Sequence, residues 1–272
     1  MLADRGVIAS PFAFRLAARV AHSQGALRAG EYAFPARVSV SGVLDTLISG
    51  AVVMRRLTVV EGWTVAQALA SLDNVPGLEG PVPIGIEEGL ILPETYFYTW
   101  GETRVAVVAR MRAAMNRMLA DAWADRASGL PLDSAREALI LASIVERETA
   151  IDDERPRVAA VFENRLRKAM RLQSDPTVIY GLSDGLGIID RPLTRADLAA
   201  DHLFNTYVID GLPPGPICLP GAKSIQAVLH PADTDDLYFV ADGSGGHVFS
   251  KTLDAHNRHV REWHAREKAN KR

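Results

Sequence analysis

The segment that most constrains the fold is Pro131 to Ala150, which closes on Leu141-Ala-Ser-Ile-Val-Glu-Arg-Glu-Thr-Ala150. Ser134-Ala-Arg-Glu137 reads as a capping box, in which the hydroxyl serves an orphan amide and the carboxylate reaches back, so a helix is predicted from about Ala135. That helix heads for the core, yet it carries two carboxylates, Glu146 and Glu148, two residues apart. On a wheel of about 100° per residue, Glu148 falls between Leu141 and Ile144, one turn from Val145. Glu146 falls nearly opposite, beside Leu139 and Ala142, and Arg147 points a third way, near Ile140 and Ser143. A carboxyl in apolar surroundings holds its proton longer, because desolvation disfavours the charged form. That is what a general acid needs near neutral pH. The plainer alternative is that both glutamates sit at the helix end and reach solvent or pair with Arg147, Arg155 or Arg157.

Around this helix the pattern mixes helices with short strands. Before it, Phe14, Ala17, Ala18 and Ala21 give a helical period within Pro11 to Ala26, and Gly30 to Pro35 reads as a short strand. Val43, Leu44, Leu47 and Ile48 recur at helical spacing, with Gly50 as a stop. Arg56 to Val60 is β-branched, and Thr64-Val-Ala-Gln67 is a second capping box. Together these define a small α+β unit over about 27–73. Asn74 to Leu92 reads as a loop. Val105 to Ala122 follows as a helix whose Val108, Met111, Met115 and Leu119 belong to the core. After the Glu146/Glu148 helix come an amphipathic helix over Val158 to Met170, a Gly- and Pro-rich stretch, and, following Leu219-Pro-Gly221, a helix through Val228. A strand over Leu237 to Ala241, a turn at Gly243 to Gly246 and a polar helix over about Ala255 to Lys268 complete the chain. The expected fold class is α+β, with an N-terminal region over 1–125 and a second domain over 126–272.

Composition excludes several classes. With 272 residues, of which 48% are hydrophobic, the chain can bury a sizeable core. A net charge of -3, and no basic run beyond the short tail 267–272, give no footprint for nucleic acid. The single cysteine, Cys218, rules out an internal disulfide framework and reads as a small packed side chain. No apolar run reaches the roughly 18 residues of a membrane span, and the start lacks a signal-peptide layout. The histidines fit no HExxH spacing, and no phosphate-binding, dinucleotide or nucleophile-elbow motif is present, so no metal or cofactor is expected.

Two further stretches carry candidate chemistry. Arg171-Leu-Gln-Ser-Asp-Pro-Thr-Val-Ile-Tyr180 groups Gln173, Asp175 and Tyr180, polar side chains suited to sugar hydroxyls, although an ordinary Asp-Pro turn explains the pattern equally well. Asn205-Thr-Tyr207 precedes Gly211-Leu-Pro-Pro-Gly215, a stiff loop useful for lining a groove.

These motifs occur in one order: LASIVERETA, Val161-Phe-Glu-Asn-Arg-Leu166, the stretch from Met170 to Gly181, Asn205-Thr-Tyr207, Gly-Leu-Pro-Pro-Gly from 211, His230-Pro-Ala232, and Leu237-Tyr-Phe-Val-Ala-Asp-Gly243. The string resembles the endolytic murein transglycosylase, or YceG-like, family. The likeness is dense over about 135–260 and looser over about 27–100, where Glu61-Gly-Trp63 looks like a family landmark. The resemblance implies a LysM-like, glycan-binding subdomain over about 27–73, followed by a mixed α/β catalytic domain with its catalytic glutamate on a helix. That glutamate matches Glu148. The implied reaction cleaves the MurNAc-β-1,4-GlcNAc bond of peptidoglycan and leaves 1,6-anhydro-MurNAc ends with one carboxylate as acid and base. Gln173, Asp175, Tyr180, Asn205 and Tyr207 match the family's groove positions, with Glu94 approaching the same groove. Implied partners are glycan strands and peptidoglycan synthases, at the periplasmic face of the bacterial inner membrane. Family members begin with a cytoplasmic stub and one transmembrane helix; none is visible here, so a shortened chain or a late-assigned start is expected. Two competing readings stand beside this one. The first is a glycan-binding module without turnover. The second is a lyase acting on a small aromatic metabolite, which needs an arginine clamp or a cofactor site.

Overall fold

Caps and stops set most helix boundaries in the computed structural model, which describes residues 1–21 and 25–270, with side chains through 266. The end of the basic tail therefore lies outside the described residues, as does the part of the expected helix from Pro11 to Ala26 that falls on 22–24. In chain order the elements are α1 (Pro11–Val20), α2 (Val40–Ser49), β1 (Arg55–Thr58), α3 (Val65–Leu72), β2 (Thr95–Tyr98), α4 (Arg104–Ala124) and α5 (Ala135–Glu148). A 3-10 turn (Asp152–Glu154) leads into α6 (Arg155–Arg167), α7 (Asp175–Leu182), α8 (Arg195–Leu198), α9 (Ala222–Leu229), β3 (Tyr238–Ala241), β4 (His247–Ser250) and α10 (Leu253–Asn270). The strands form two separate pairs, β1 with β2 and β3 with β4, so the fold is α+β.

The caps follow the sequence closely. Thr64 accepts from Gln67 N at 3.3 Å and Gln67 Oε1 accepts from Thr64 N at 2.9 Å, a complete capping box at the start of α3. α2 stops at Gly50, whose φ of 70° lies in the left-handed region that a Cβ would strain. Ser134 accepts from Glu137 N at 3.2 Å, but the Glu137 carboxylate turns to Asp133 N at 2.7 Å, one residue upstream of the expected return bond. Two expectations fail. Gly30 to Pro35 is irregular: Val53 N donates to Glu31 O at 2.8 Å, and Pro35 has no N–H to extend the ladder. The stretch read as a turn at Asp175-Pro176 is the first turn of α7, where a proline's missing N–H costs nothing.

The chain divides into two compact units. One comprises 1–57, 74–81 and 95–107. Its core gathers Ile8, Val43 and Leu47, with Phe14, Leu27, Tyr32 and Phe34 packed against them. The other comprises 58–73, 82–94 and 108–272, and includes α3. Its core centres on α5, whose residues from Ala138 to Val145 are all buried, packed against α6 and α9. Met115, Leu141, Ile144, Phe162 and Leu172 are fully buried there. Each such side chain contributes about 1.5–3 kcal/mol through burial. The chain from Pro216 to Pro220 is buried against α5: Ile217 N donates to Ser143 Oγ at 3.0 Å and Cys218 Sγ to Ser143 O at 3.2 Å. Cys218 is thus the packed side chain the sequence suggested. β3 and β4 form an antiparallel hairpin with Tyr238 opposite Ser250 and Phe239 opposite Phe249, closed by the expected glycine turn.

Candidate active site

α5 ends on Glu148, and the backbone goes extended at Thr149, so the carboxyl stands at the open end of a buried helix. It is partly buried at the wall of a cavity of about 430 Å³. The rest of the lining comes from α6, the turn into α7, Tyr207, the hairpin and α10. Gln173 there has φ of 52°, a left-handed bend for a non-glycine residue, which costs roughly 1 kcal/mol. Two bonds hold the bend: Gln173 N to Thr206 O at 3.1 Å and Ser174 N to Thr206 Oγ1 at 2.9 Å. As a result Gln173 and Asp175 are exposed on the cavity while Ser174 turns inward, its Oγ donating to Glu148 Oε1 at 2.5 Å.

Burial pushes the Glu148 carboxyl up to about 7 from an ordinary 4.5, because the anion loses its water. The Ser174 hydrogen bond opposes this, Asp175 adds to it by like-charge repulsion, and His247 and Arg165 pull the other way. Tyr207 donates its hydroxyl to Asp175 Oδ1 at 2.6 Å, and burial followed by that bond raises the phenol further from ionisation. Arg165 is held by Leu237 O at 2.7 Å and Leu172 O at 2.8 Å, beneath the ring of Tyr238 at 5.2 Å. Tyr238 in turn stacks on His256 at 5.2 Å. Arg165, Tyr238 and His256 all line the cavity.

A raised carboxyl is not by itself a site. Glu88 and Glu163 are also pushed up to about 7 by burial. Glu88 spends its oxygens on Val65 N at 2.9 Å, Gly89 N at 3.3 Å and the Tyr180 hydroxyl at 3.4 Å, at the start of α3. Glu163 is fully buried on α6 and accepts from Arg167 at 3.0 Å. Of these three, Glu148 is the one on the cavity lining. Glu146, expected on the far side of the helix, has a side chain only 6% accessible, because Gly221 and Arg155 pack over it. Its Oε2 accepts from Gly221 N at 2.9 Å and its Oε1 from Arg155 at 3.5 Å. Glu61 lies against Gly221 so closely that a Cβ there would fall 1.9 Å from Glu61 Oε1. The rest of Glu61-Gly-Trp63 pairs with Leu219, Gly62 N to Leu219 O at 2.9 Å and Leu219 N to Trp63 O at 2.7 Å.

The cavity brings Glu148 together with Gln173, Asp175 and Tyr207. Tyr180, Asn205 and Glu94 do not line it. Tyr180 packs on Phe204, with ring centroids 4.9 Å apart, and reaches Glu88. Asn205 is buried and clamps its own loop, donating to Ala200 O at 2.7 Å and accepting from Tyr207 N at 3.0 Å. Glu94 is exposed, and its carbonyl accepts from Val59 N at 3.0 Å. The Leu212-Pro213 end of the proline loop lines a different hollow with Ser134 and Ile140. Sequence reasoning missed Ser174, Arg165, Tyr238 and His256. The first three stand inside the quoted motifs, where their neighbours drew the attention; His256 carried no signal beyond its residue type.

The fold and the cavity define a class: an α+β chain with one proton-holding glutamate at the end of a core helix, opening on a polar and aromatic cleft. The sequence model of the YceG-like family matches residues 1–262, and the chain belongs to that family. It is 37% identical over 171 residues to the endolytic murein transglycosylase of Bacillus subtilis, covering 63% of this chain and 46% of that protein. It is 33% identical over 186 residues to the endolytic murein transglycosylase of Streptococcus pneumoniae D39, covering 67% of this chain and 33% of that protein. The chain thus spans less than half the length of these two relatives. A crystal structure of a protein described as yceG-like, from Listeria monocytogenes, superposes with a TM-score of 0.62 at 29% identity, over 94% of this chain and 92% of that one.

Proposed function

We propose that this chain is an endolytic peptidoglycan lytic transglycosylase with Glu148 as its single acid and base. The observation that carries the reading is the Glu148 carboxyl: poised near 7 by burial, on the wall of a cleft lined by sugar-binding side-chain types. Glu148 starts protonated and gives its proton to the glycosidic oxygen as the MurNAc C1–O bond to GlcNAc breaks. The C6 hydroxyl oxygen of the same MurNAc then bonds to C1, and the Glu148 carboxylate takes the C6 hydroxyl proton. The acid is regenerated and a 1,6-anhydro ring formed, with no water consumed. Hydrolysis would instead require a second carboxylate at a defined separation. Glu146 is committed to Gly221 and Arg155. Asp175 is the carboxylate that shares the cavity.

In this reading Gln173, Asp175 and Tyr207 contact sugar hydroxyls. The expected LysM-like stretch over about 27–73 holds the glycan, and the chain works at the periplasmic face of the inner membrane beside the synthases that supply nascent strands. No described helix is long and apolar enough to cross a membrane. The test is digestion of purified peptidoglycan by wild type and Glu148→Gln, with products read by mass spectrometry. Anhydro ends from wild type and none from the variant are expected. Reducing ends would replace the reading with a hydrolase using Asp175. Glycan retention with no products from either protein would replace it with a binding module.

A further inference from the structure

We propose that Ser174 is a positioning residue that fixes which oxygen of Glu148 exchanges the proton with substrate. The inference rests on the transglycosylase reading above. It starts from three buried hydroxyls, on Ser174, Thr177 and Thr206, each at most 1% exposed. A hydroxyl has one hydrogen to give. Thr177 gives its own to Ser174 O at 2.7 Å. The 2.9 Å contact between Thr177 Oγ1 and Thr206 Oγ1 therefore has Thr206 as donor. Thr206 Oγ1 in turn accepts from Ser174 N at 2.9 Å. Every hydrogen in the cluster is assigned, and the Ser174 hydroxyl is directed at Glu148 Oε1, at 2.5 Å.

The consequence is an asymmetric carboxyl. Oε1 accepts from Ser174 whether or not the acid is ionised, so the mobile proton resides on Oε2. Oε2 gives it to the leaving oxygen and Oε2 takes it back from the C6 hydroxyl. The bond is stronger to the anion than to the acid, so it also favours the state formed halfway through the reaction. The Gln173 bend holds Ser174 in this direction, through the two bonds to Thr206.

The test compares wild type with Ser174→Ala, which removes the donor and little volume, and Ser174→Cys, which keeps a weaker one. For Ser174→Ala we expect kcat to fall about 10-fold or more with KM unchanged, as for a residue acting only in the chemical step. The basic limb of the kcat/KM profile should move to higher pH, with Ser174→Cys in between. An activity-independent readout uses Glu148→Gln: its gap in thermal stability from its parent opens from the pKa of the unfolded chain and levels off where Glu148 titrates in the folded protein, so the midpoint pH of that opening follows the folded-state titration. That pH should rise in the Ser174→Ala background. Wild-type kcat and an unmoved limb in Ser174→Ala overturn the proposal, and so does a fall in kcat with limb and stability midpoint both unmoved. A raised stability midpoint in a protein that forms no anhydro ends would instead sink the transglycosylase reading and leave the Ser174–Glu148 bond standing.

Discussion

Glu146 and Glu148 leave the last turn of α5 two residues apart, and their surroundings divide the labour between them. The Glu146 side chain is only 6% accessible and fully employed: one oxygen ties down Gly221 N at the start of α9 and the other faces the buried guanidinium of Arg155. Glu148 meets one hydroxyl and a cavity. Burial alone therefore does not make an acid. Glu146 is bound up in holding Gly221 and Arg155, whereas Glu148, raised by burial, has a free face on the cavity. The same contrast separates Glu148 from Glu88, which is equally raised but caps α3 instead of opening on a cleft.

The largest expected effect breaks the pair in function. Glu148→Gln should lower the rate of strand cleavage about 10³-fold, the scale of losing one acid–base group, while leaving the protein folded. Glu146→Ala should do the reverse. It strands Gly221 N–H and removes one of the anions against Arg155, whose guanidinium keeps Asp152 and Ser224. The expected cost is about 2–4 kcal/mol of stability, read by denaturant unfolding, with the pH profile of any remaining activity unchanged. A shifted pH profile in Glu146→Ala would end the separation of roles.

How far this contrast was legible beforehand depends on what each residue's signal was. The helix, its start and the apolar side facing Glu148 follow from periodicity and Ser134. The employment of Glu146 does not, because its partners lie 9 and 75 residues downstream in sequence, and a wheel shows faces, not neighbours. α7 escaped notice because Asp-Pro starts turns and helices alike. Asn205 and Tyr180 were expected in the groove from the family resemblance, which shows motif positions and not neighbours; the fold uses Asn205 on its own loop carbonyls and Tyr180 on Phe204 and Glu88. Ser174 was invisible as a donor, since only the left-handed bend at Gln173 turns it inward.

A smaller effect sharpens the comparison through stability. Glu148 titrates near 7 in the folded protein against 4.5 ordinarily. Between those values the folded state holds a proton the unfolded chain has lost, so stability falls as pH rises through that window, and the penalty is complete above about 7. Its ceiling is about 3 kcal/mol. Glu148→Gln removes the penalty, so the variant should melt with wild type near pH 4.5 and about 5 °C above it at pH 8. Calorimetry at the two pH values checks this; an equal gap at both would mean that Glu148 ionises normally.

The smallest effect concerns Asp175, the other carboxylate on the cavity. Its negative charge pushes Glu148 upward, so Asp175→Asn should let Glu148 ionise at lower pH and move the basic limb down by a fraction of a unit. The Tyr207 hydroxyl still finds an oxygen acceptor in the amide, so the geometry at 2.6 Å is retained. Cleavage should persist within a few-fold of wild type. The direction opposes that expected of Ser174→Ala, because one change removes a repelling charge and the other a stabilising donor. Loss of activity as deep as that of Glu148→Gln would make Asp175 a second catalytic carboxylate. Glu148 would then have to be compared with Asp175 on the same cavity, not with Glu146 along the helix.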